Sequence, residues 1–135
     1  MNNERRSLCP IAYSLDLFGD RWTLLILRDM VFGRKRHYRE FQEAGEGIAT
    51  NILANRLERL ESAGLVTKER DPEDAKRYLY TLTSKGLDII PVLLELIAWG
   101  ALHDPETPVS PAFLKRIQSD RSGLVDELRA RLEEA

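Results

Sequence analysis

The chain has 135 residues, a net charge of −2, 43% hydrophobic and 31% charged residues. That is the size and composition of one folded domain, and it excludes a disordered chain. A single cysteine, Cys9, excludes an internal disulfide framework and a zinc knuckle.

Cys9-Pro10 opens a first predicted helix, since proline suits a first helical position. Ile11, Leu15 and Phe18 form its apolar side and Gly19 ends it. Asp20 is a good N-cap for a second helix over Arg21–Val31, with Trp22, Leu25 and Ile26 at helical spacing and Gly33 as its stop. Arg34-Lys35-Arg36-His37 is a basic connector. A short helix follows near Tyr38–Ala44, with Tyr38 and Phe41 turned inward, and Gly45 and Gly47 break it. Glu40, Glu43 and Glu46 look like a solvated acidic stretch.

Ile48–Ala63 is the most informative segment. With Leu53 at the centre of the buried face, Leu57 and Leu60 lie within about 40° of it at the helical advance per residue. Asn51, Asn55 and Glu58 fall on the opposite side. Arg56 and Arg59 take one flank, Thr50 and Ala54 the other. Gly64 closes the helix. The period then changes: Leu65–Arg70 and Arg77–Leu82 resemble two strands, joined by the turn signal Asp71-Pro72-Glu73-Asp74.

Thr83 or Ser84 caps a long helix through Gly100, with Leu87, Ile90, Leu94, Ile97 and Trp99 as apolar positions. Pro91 either kinks it or marks its first turn. His103–Pro108 is a break, and Ser110-Pro111 is N-cap and first position of another helix carrying Phe113, Leu114 and Ile117. Ser122-Gly123 splits off a last helix with Leu124, Leu128 and Leu132. No apolar run approaches the roughly 20 residues that span a bilayer; Trp22–Leu27 is the longest. The segment Met1–Ser7 is polar and basic with no signal core behind it, so the chain is expected in the cytoplasm.

This order of elements has a physical logic on double-stranded DNA. One helix enters the major groove, about 12 Å wide, and reads base edges while a hairpin beside it meets phosphates. Charge is distributed to match. Residues 34–85 carry eleven basic and nine acidic side chains, residues 86–135 five and nine. Ile48–Ala63 is then the recognition helix. Asn51 and Asn55 suit adenine, Thr50 and Arg56 reach bases or phosphates, and Arg59 meets backbone. Glu58 either accepts from cytosine or points into solvent. Lys68, Arg70, Lys76 and Arg77 are the hairpin's phosphate candidates, and Arg34, Lys35, Arg36 and Arg39 flank the helix-turn-helix entry. The alternative is a plain solvated helix face, which the full order of elements disfavours.

Cys9-Pro10, Gly19–Arg28, Arg36–Phe41, Ile48–Gly64 with Leu65-Val66, Tyr80–Gly86 and Trp99-Gly100 together resemble the HxlR-type regulators, over roughly Leu8–Gly100. The resemblance implies a winged helix-turn-helix close to the MarR group: mainly α with a small β-hairpin wing and further dimerisation helices at both ends. It implies a homodimer on a palindromic operator. Residues 8–100 form this unit and residues 101–135 a C-terminal helical extension of the same domain. Two positions depart from the family pattern. Arg21 stands where a lysine is usual, and Ala49 where a serine caps the recognition helix. Thr50 is expected to take over the cap. Repression is the default, because no segment suggests contact with polymerase.

Burial supports the dimer. Ile11, Leu15, Leu94, Ile97 and Trp99 exceed what a wing and three helices cover, and a second copy would cover them, setting two recognition helices roughly 34 Å apart. In parts of the family a cysteine at the Cys9 position senses oxidants or electrophiles. A thiol at a helix N-terminus with Arg5 and Arg6 nearby fits that chemistry; the other reading is a small residue starting a helix. Two alternatives stand beside these. One is a small-molecule-responsive regulator with a pocket at the dimer interface lined by Tyr13, Phe18, Trp22 and Trp99. The other is a winged helix used only for protein contacts. An enzyme is not expected. His37 and His103 stand far apart without matching ligands, His37 reads as a basic or phosphate-facing residue, and no Gly-rich phosphate loop, H-E-x-x-H or G-x-S-x-G is present. No cofactor or metal is expected.

Overall fold

The computed structural model describes residues 7–133. The elements run α1 (Pro10–Phe18), α2 (Arg21–Val31), α3 (Tyr38–Gln42), α4 (Thr50–Ser62), β1 (Val66–Asp71), β2 (Asp74–Leu82), α5 (Ser84–Leu87), α6 (Ile90–His103), α7 (Pro111–Ser119) and α8 (Arg121–Glu133). This is a mainly helical winged helix-turn-helix with one antiparallel hairpin, the class the sequence implied.

The leucine stripe of α4 is buried as its spacing predicts. Leu53 and Leu57 are sealed off, Leu60 nearly so, and they meet Leu27, Met30 and Val31 of α2 in one apolar cluster. Each such side chain contributes about 1.5–3 kcal/mol of burial. The inner stripe of α2 is Thr23, Ile26, Leu27, Met30 and Val31. Trp22 and Leu25 lie beside it, half-buried.

The link from α4 to the wing is tightly specified. Gly64 has φ +80°, the left-handed conformation that glycine adopts without strain. Leu65 N–H donates to the Leu60 carbonyl and Gly64 N–H to that of Glu61, a Schellman end to the helix. Thr83 returns to the same place: its hydroxyl donates to the Gly64 carbonyl at 2.6 Å and its N–H to that of Leu65. Gly86 packs so closely on the Leu65 carbonyl that a Cβ there would collide with backbone. The two roots of the hairpin are thus clamped together.

Register pairs Val66 with Leu82, Lys68 with Tyr80 and Arg70 with Tyr78. Opposed residues share a face, so Lys68 and Arg70 stand on the same side as the buried Val66 and Tyr80. The tip is irregular between Arg70 and Asp71, and β2 begins at Asp74, three residues earlier than expected.

Several expectations need correction. The long helix after Thr83 is two helices, because α5 stops at Leu87 and α6 starts at Ile90 with Pro91 in its first turn. Leu94 is fully buried within the single chain, not at a surface awaiting a partner. Ser84–His103 reaches 20 residues with a mean hydropathy of 1.5, so a segment of spanning length and composition does exist. Its apolar character has a local cause: Ile90, Leu93, Leu94 and Ala98 enter the core, while Val92, Leu96, Trp99 and Leu102 form an exposed strip. The break between the last two helices falls at Asp120, whose carboxylate accepts from Gly123 N–H.

Helices α7 and α8 share the main core through Ile117, Leu124 and Leu128. Arg129 adds an ion pair to Asp88, and Arg121 one to Glu95. Ile117 is fully buried, so Ile117→Ala should cost about 3 kcal/mol in urea unfolding. A loss below about 1 kcal/mol would mean that the extension docks without supporting the core.

Candidate nucleic-acid interface

The reading surface is built outward from Asp20. Its carboxylate accepts from Trp22 N–H at 2.8 Å, Thr23 N–H at 3.1 Å and the Thr23 hydroxyl at 2.6 Å, capping α2. The same group accepts from Arg56 Nε at 3.0 Å, and Arg59 approaches it at 3.9 Å. Burial opposes the charge on Asp20, but the hydrogen bonds from Thr23, Arg56 and the backbone outweigh it and bring its pKa down to about 2. Helix α4 is thereby fixed to α2 beneath it.

That geometry gives Arg56 a partner within the chain. Its guanidinium is turned inward to Asp20 and also donates to the Asn55 side-chain oxygen. It positions α4 and orders Asn55. Arg59 donates to the Asp16 carbonyl at 3.3 Å and remains exposed. Thr50, Asn51 and Asn55 are exposed along the outer face of α4, as is Glu58. The expected capping by Thr50 does not occur. Ala49 is the N-cap, it offers no side-chain acceptor, and Thr50 is the first helical residue. The Thr50 carbonyl accepts instead from the Tyr38 hydroxyl at 2.8 Å, which ties α3 to the start of α4.

On the wing, Tyr78 organises two of the predicted cations. Lys68 Nζ lies 4.4 Å and the Arg70 guanidinium 4.8 Å from its ring centre. Arg70 also donates to the Ala75 carbonyl across the tip at 2.7 Å. Lys68 shares the cleft between α4 and the hairpin with Glu58 and Glu61. Arg39, Lys76 and Arg77 line a second cleft, between α3 and the hairpin. Arg36 is partly withdrawn from the interface, because its guanidinium donates to the Thr81 hydroxyl at 2.9 Å.

The sequence missed the fastening of this second cleft. His37 is not phosphate-facing. Its Nδ1 lies 2.9 Å from Glu40 and its Nε2 2.9 Å from Asp71, at the tip of the wing. Arg77 Nε donates to the same Asp71 oxygen at 2.8 Å, so Arg77 is the partner of Asp71 before it meets anything else. Asp71 is nearly inaccessible to solvent. Its pKa is brought down to about 2 by the Glu73 N–H first, then by His37 and Arg77. Glu40 also accepts from the N–H groups of Arg36 and His37. Glu46 pairs with Arg28 at 2.9 Å and with Arg21 at 3.5 Å. Of the three glutamates read as solvated, Glu43 and Glu46 are exposed and Glu40 alone is half-buried. The turn signal Asp71-Pro72-Glu73-Asp74 marks the tip, but nothing in it marks Asp71 as buried.

Cys9 is exposed at the N-cap of α1, its N–H donating to the Ser7 hydroxyl. Arg5 and Arg6, expected near the thiol, lie outside the described residues. The aromatic pocket set is dispersed in character: Tyr13 and Trp99 are exposed, Phe18 and Trp22 half-buried.

The HxlR-like helix-turn-helix family model matches residues 17–107, which contain α2, α4 and the whole wing. The chain belongs to the HxlR-like helix-turn-helix family. The transcriptional regulator sll1512 of Synechocystis is 34% identical over 98 residues, covering 73% of this chain and 72% of its own. Among solved structures, PA1607 superposes with a TM-score of 0.69 at 34% identity, covering 78% of this chain and 73% of that one. The reduced form of the transcriptional regulator YodB from Bacillus subtilis gives 0.58 at 29% identity, covering 75% and 99%. YodB has also been solved in quinone-bound and diamide-treated forms. This HxlR-like chain is accordingly a DNA-binding transcription regulator and not an enzyme. All of α7 and all of α8 lie beyond the matched residues.

Both Asp71 and Asp20 hold depressed carboxyl pKa values, so their contribution to stability is present above about pH 4 and is lost as pH falls towards about 2. The Asp71→Asn variant should be less stable than wild type at neutral pH, and its melting temperature should fall less steeply on acidification. Parallel acid profiles for the two proteins would show that the fastening at the wing tip carries no charge-dependent stability.

Proposed function

We propose that the protein is a homodimeric repressor that reads a palindromic operator through α4 and steadies itself on phosphates through the wing. The observation that carries this reading is the shared aspect of α4 and the hairpin. The exposed polar stretch Thr50, Asn51 and Asn55 lies on the outer side of α4. Lys68 and Arg70 project from the face of the wing that turns towards that helix. Asn51 and Asn55 serve as base readers, each able to donate to and accept from adenine. Arg39, Arg59, Lys68, Arg70 and Lys76 serve as phosphate contacts. Arg36, Arg56 and Arg77 act mainly by holding the wing and α4 in place.

The dimer reading rests on a separate surface. Helix α1 buries none of its residues in the single chain, and Ile11 and Leu15 are exposed. On α6, Val92, Leu96, Trp99 and Leu102 are exposed as well, Trp99 to 68%. Apolar strips of this kind mark association surfaces, and a twofold axis would set two reading helices one DNA turn apart. The DNA upstream of the chain's own gene is the first operator to test, by fluorescence anisotropy at two salt concentrations. Wild type should prefer it over random DNA and weaken steeply with salt. Asn55→Ala should cost about 1–3 kcal/mol on the operator alone, whereas Lys68→Ala should weaken all DNA and lower the salt slope by about one. Salt-independent binding would transfer the wing to a protein partner.

A response to oxidants is a second reading. It rests on the exposure of the Cys9 thiol beside the exposed side of α1, and on the likeness to YodB. In a dimer joined through α1, two Cys9 thiols would lose two electrons and two protons to diamide and form one intersubunit disulfide. Diamide should then alter DNA affinity in wild type and leave Cys9→Ser unchanged; equal sensitivity in both proteins would end this reading.

A further inference from the structure

A cavity of about 560 Å³ lies where the end of α2, the connector after it, β2 and the last turn of α8 meet. It belongs neither to the reading surface nor to the exposed strip, and its volume falls within the roughly 300–1,000 Å³ of small-molecule sites. Its walls are of two kinds. Met30, Leu82, Leu87 and Leu132 supply flexible aliphatic surface, with Tyr80 as the one ring. Among the described residues Arg34, Lys35 and Arg36 supply three cations, against the carboxylate of Glu133.

The cations are not equally engaged. Arg36 gives one donor to Thr81, and Lys35 acts electrostatically on Asp29. Among the described residues no acceptor meets the Arg34 guanidinium. Arg34 also has a φ of +53°, the left-handed region that a residue with a side chain enters at a cost of roughly 1–3 kcal/mol. The backbone is thus held in a strained turn that sets a guanidinium with no acceptor among the described residues at the mouth of an apolar cavity. An apolar body alone would leave that cation unanswered, and a compact inorganic anion would leave the aliphatic walls empty. A chain with one charged end answers both.

We propose that this cavity binds a small amphipathic anion, a medium-chain aliphatic carboxylate, with the carboxylate at Arg34 and Lys35 and the acyl chain against Met30, Leu87 and Leu132. The wall from α8, Leu132 and Glu133, lies outside the residues that match the family, while the rest of the lining lies within them. The ligand would touch both β2 and the end of α2, and so the two parts that aim the wing.

The chain has two methionines, Met1 and Met30, so methyl-13C-methionine labelling places a probe on the cavity wall that Met30→Leu assigns. Octanoate and its neutral isostere octanamide are titrated into the DNA-free protein, which keeps the outcome independent of the operator reading. Octanoate should move the Met30 methyl signal saturably, and octanamide should bind about ten-fold more weakly or worse for want of the charge-assisted hydrogen bond. Arg34→Gln and Lys35→Gln should each weaken octanoate by about ten-fold while leaving the unliganded spectrum folded. Leu132→Trp, which fills the cavity from α8, should abolish the shift. The proposal is overturned if octanoate leaves Met30 unmoved, if octanamide binds as well, or if the variants bind like wild type. Quenching of Trp99 without movement of Met30 would place the acid on the exposed strip and overturn it equally.

Discussion

One carboxylate sets the geometry of the reading head. Asp20 must end up at the N-terminus of α2, because only there do two backbone N–H groups and a neighbouring hydroxyl converge on it. Once seated, it is a fixed anion beside the inner flank of α4, and Arg56 crosses to it. The leucine stripe alone would let α4 slide or roll by part of a turn, since apolar contact has no direction. A hydrogen-bonded ion pair has direction. It converts a greasy contact into a defined crossing, and the outward set of Thr50, Asn51 and Asn55 follows from it.

The wing is aimed by a different kind of constraint. At its root the chain leaves α4 through a left-handed glycine and returns through Thr83, with Gly86 allowing backbone to touch backbone. At its tip His37, Asp71 and Arg77 form a chain of short contacts between the connector and the hairpin. Between these two fastenings the strands carry charged side chains outward, and their direction is not free.

Much of this was legible in the sequence. Asp20 as an N-cap, the period of α4, the switch to strand alternation after Gly64 and the Ser110-Pro111 start of α7 are local signals, each written within a few residues. What was not legible involves partners far apart in the chain. The sequence places Arg56 on a flank of α4 but says nothing of the Asp20 carboxylate 36 residues away. His37 and Asp71, 34 residues apart, carry no mutual mark. Leu94 reads the same whether a second subunit or α7 and α8 cover it. The division of α6 into a buried and an exposed side depends on helices that lie outside the matched family core. A helical wheel gives a face and not a contact, so the period of α4 does not name its base readers.

Tyr78 has a consequence for how fast and how cheaply an anion is met. A lysine and an arginine on a free strand sample many rotamers, and each gives up up to about 2 kcal/mol of conformational freedom when a partner fixes it. Here both cations already lie over one aromatic ring, and the Ala75 carbonyl pins the arginine further. That loss is taken once, on folding, and is not repeated at each encounter. The hairpin presents its charges as a preorganised comb, so binding there depends less on ordering the protein and more on the ions displaced from its partner.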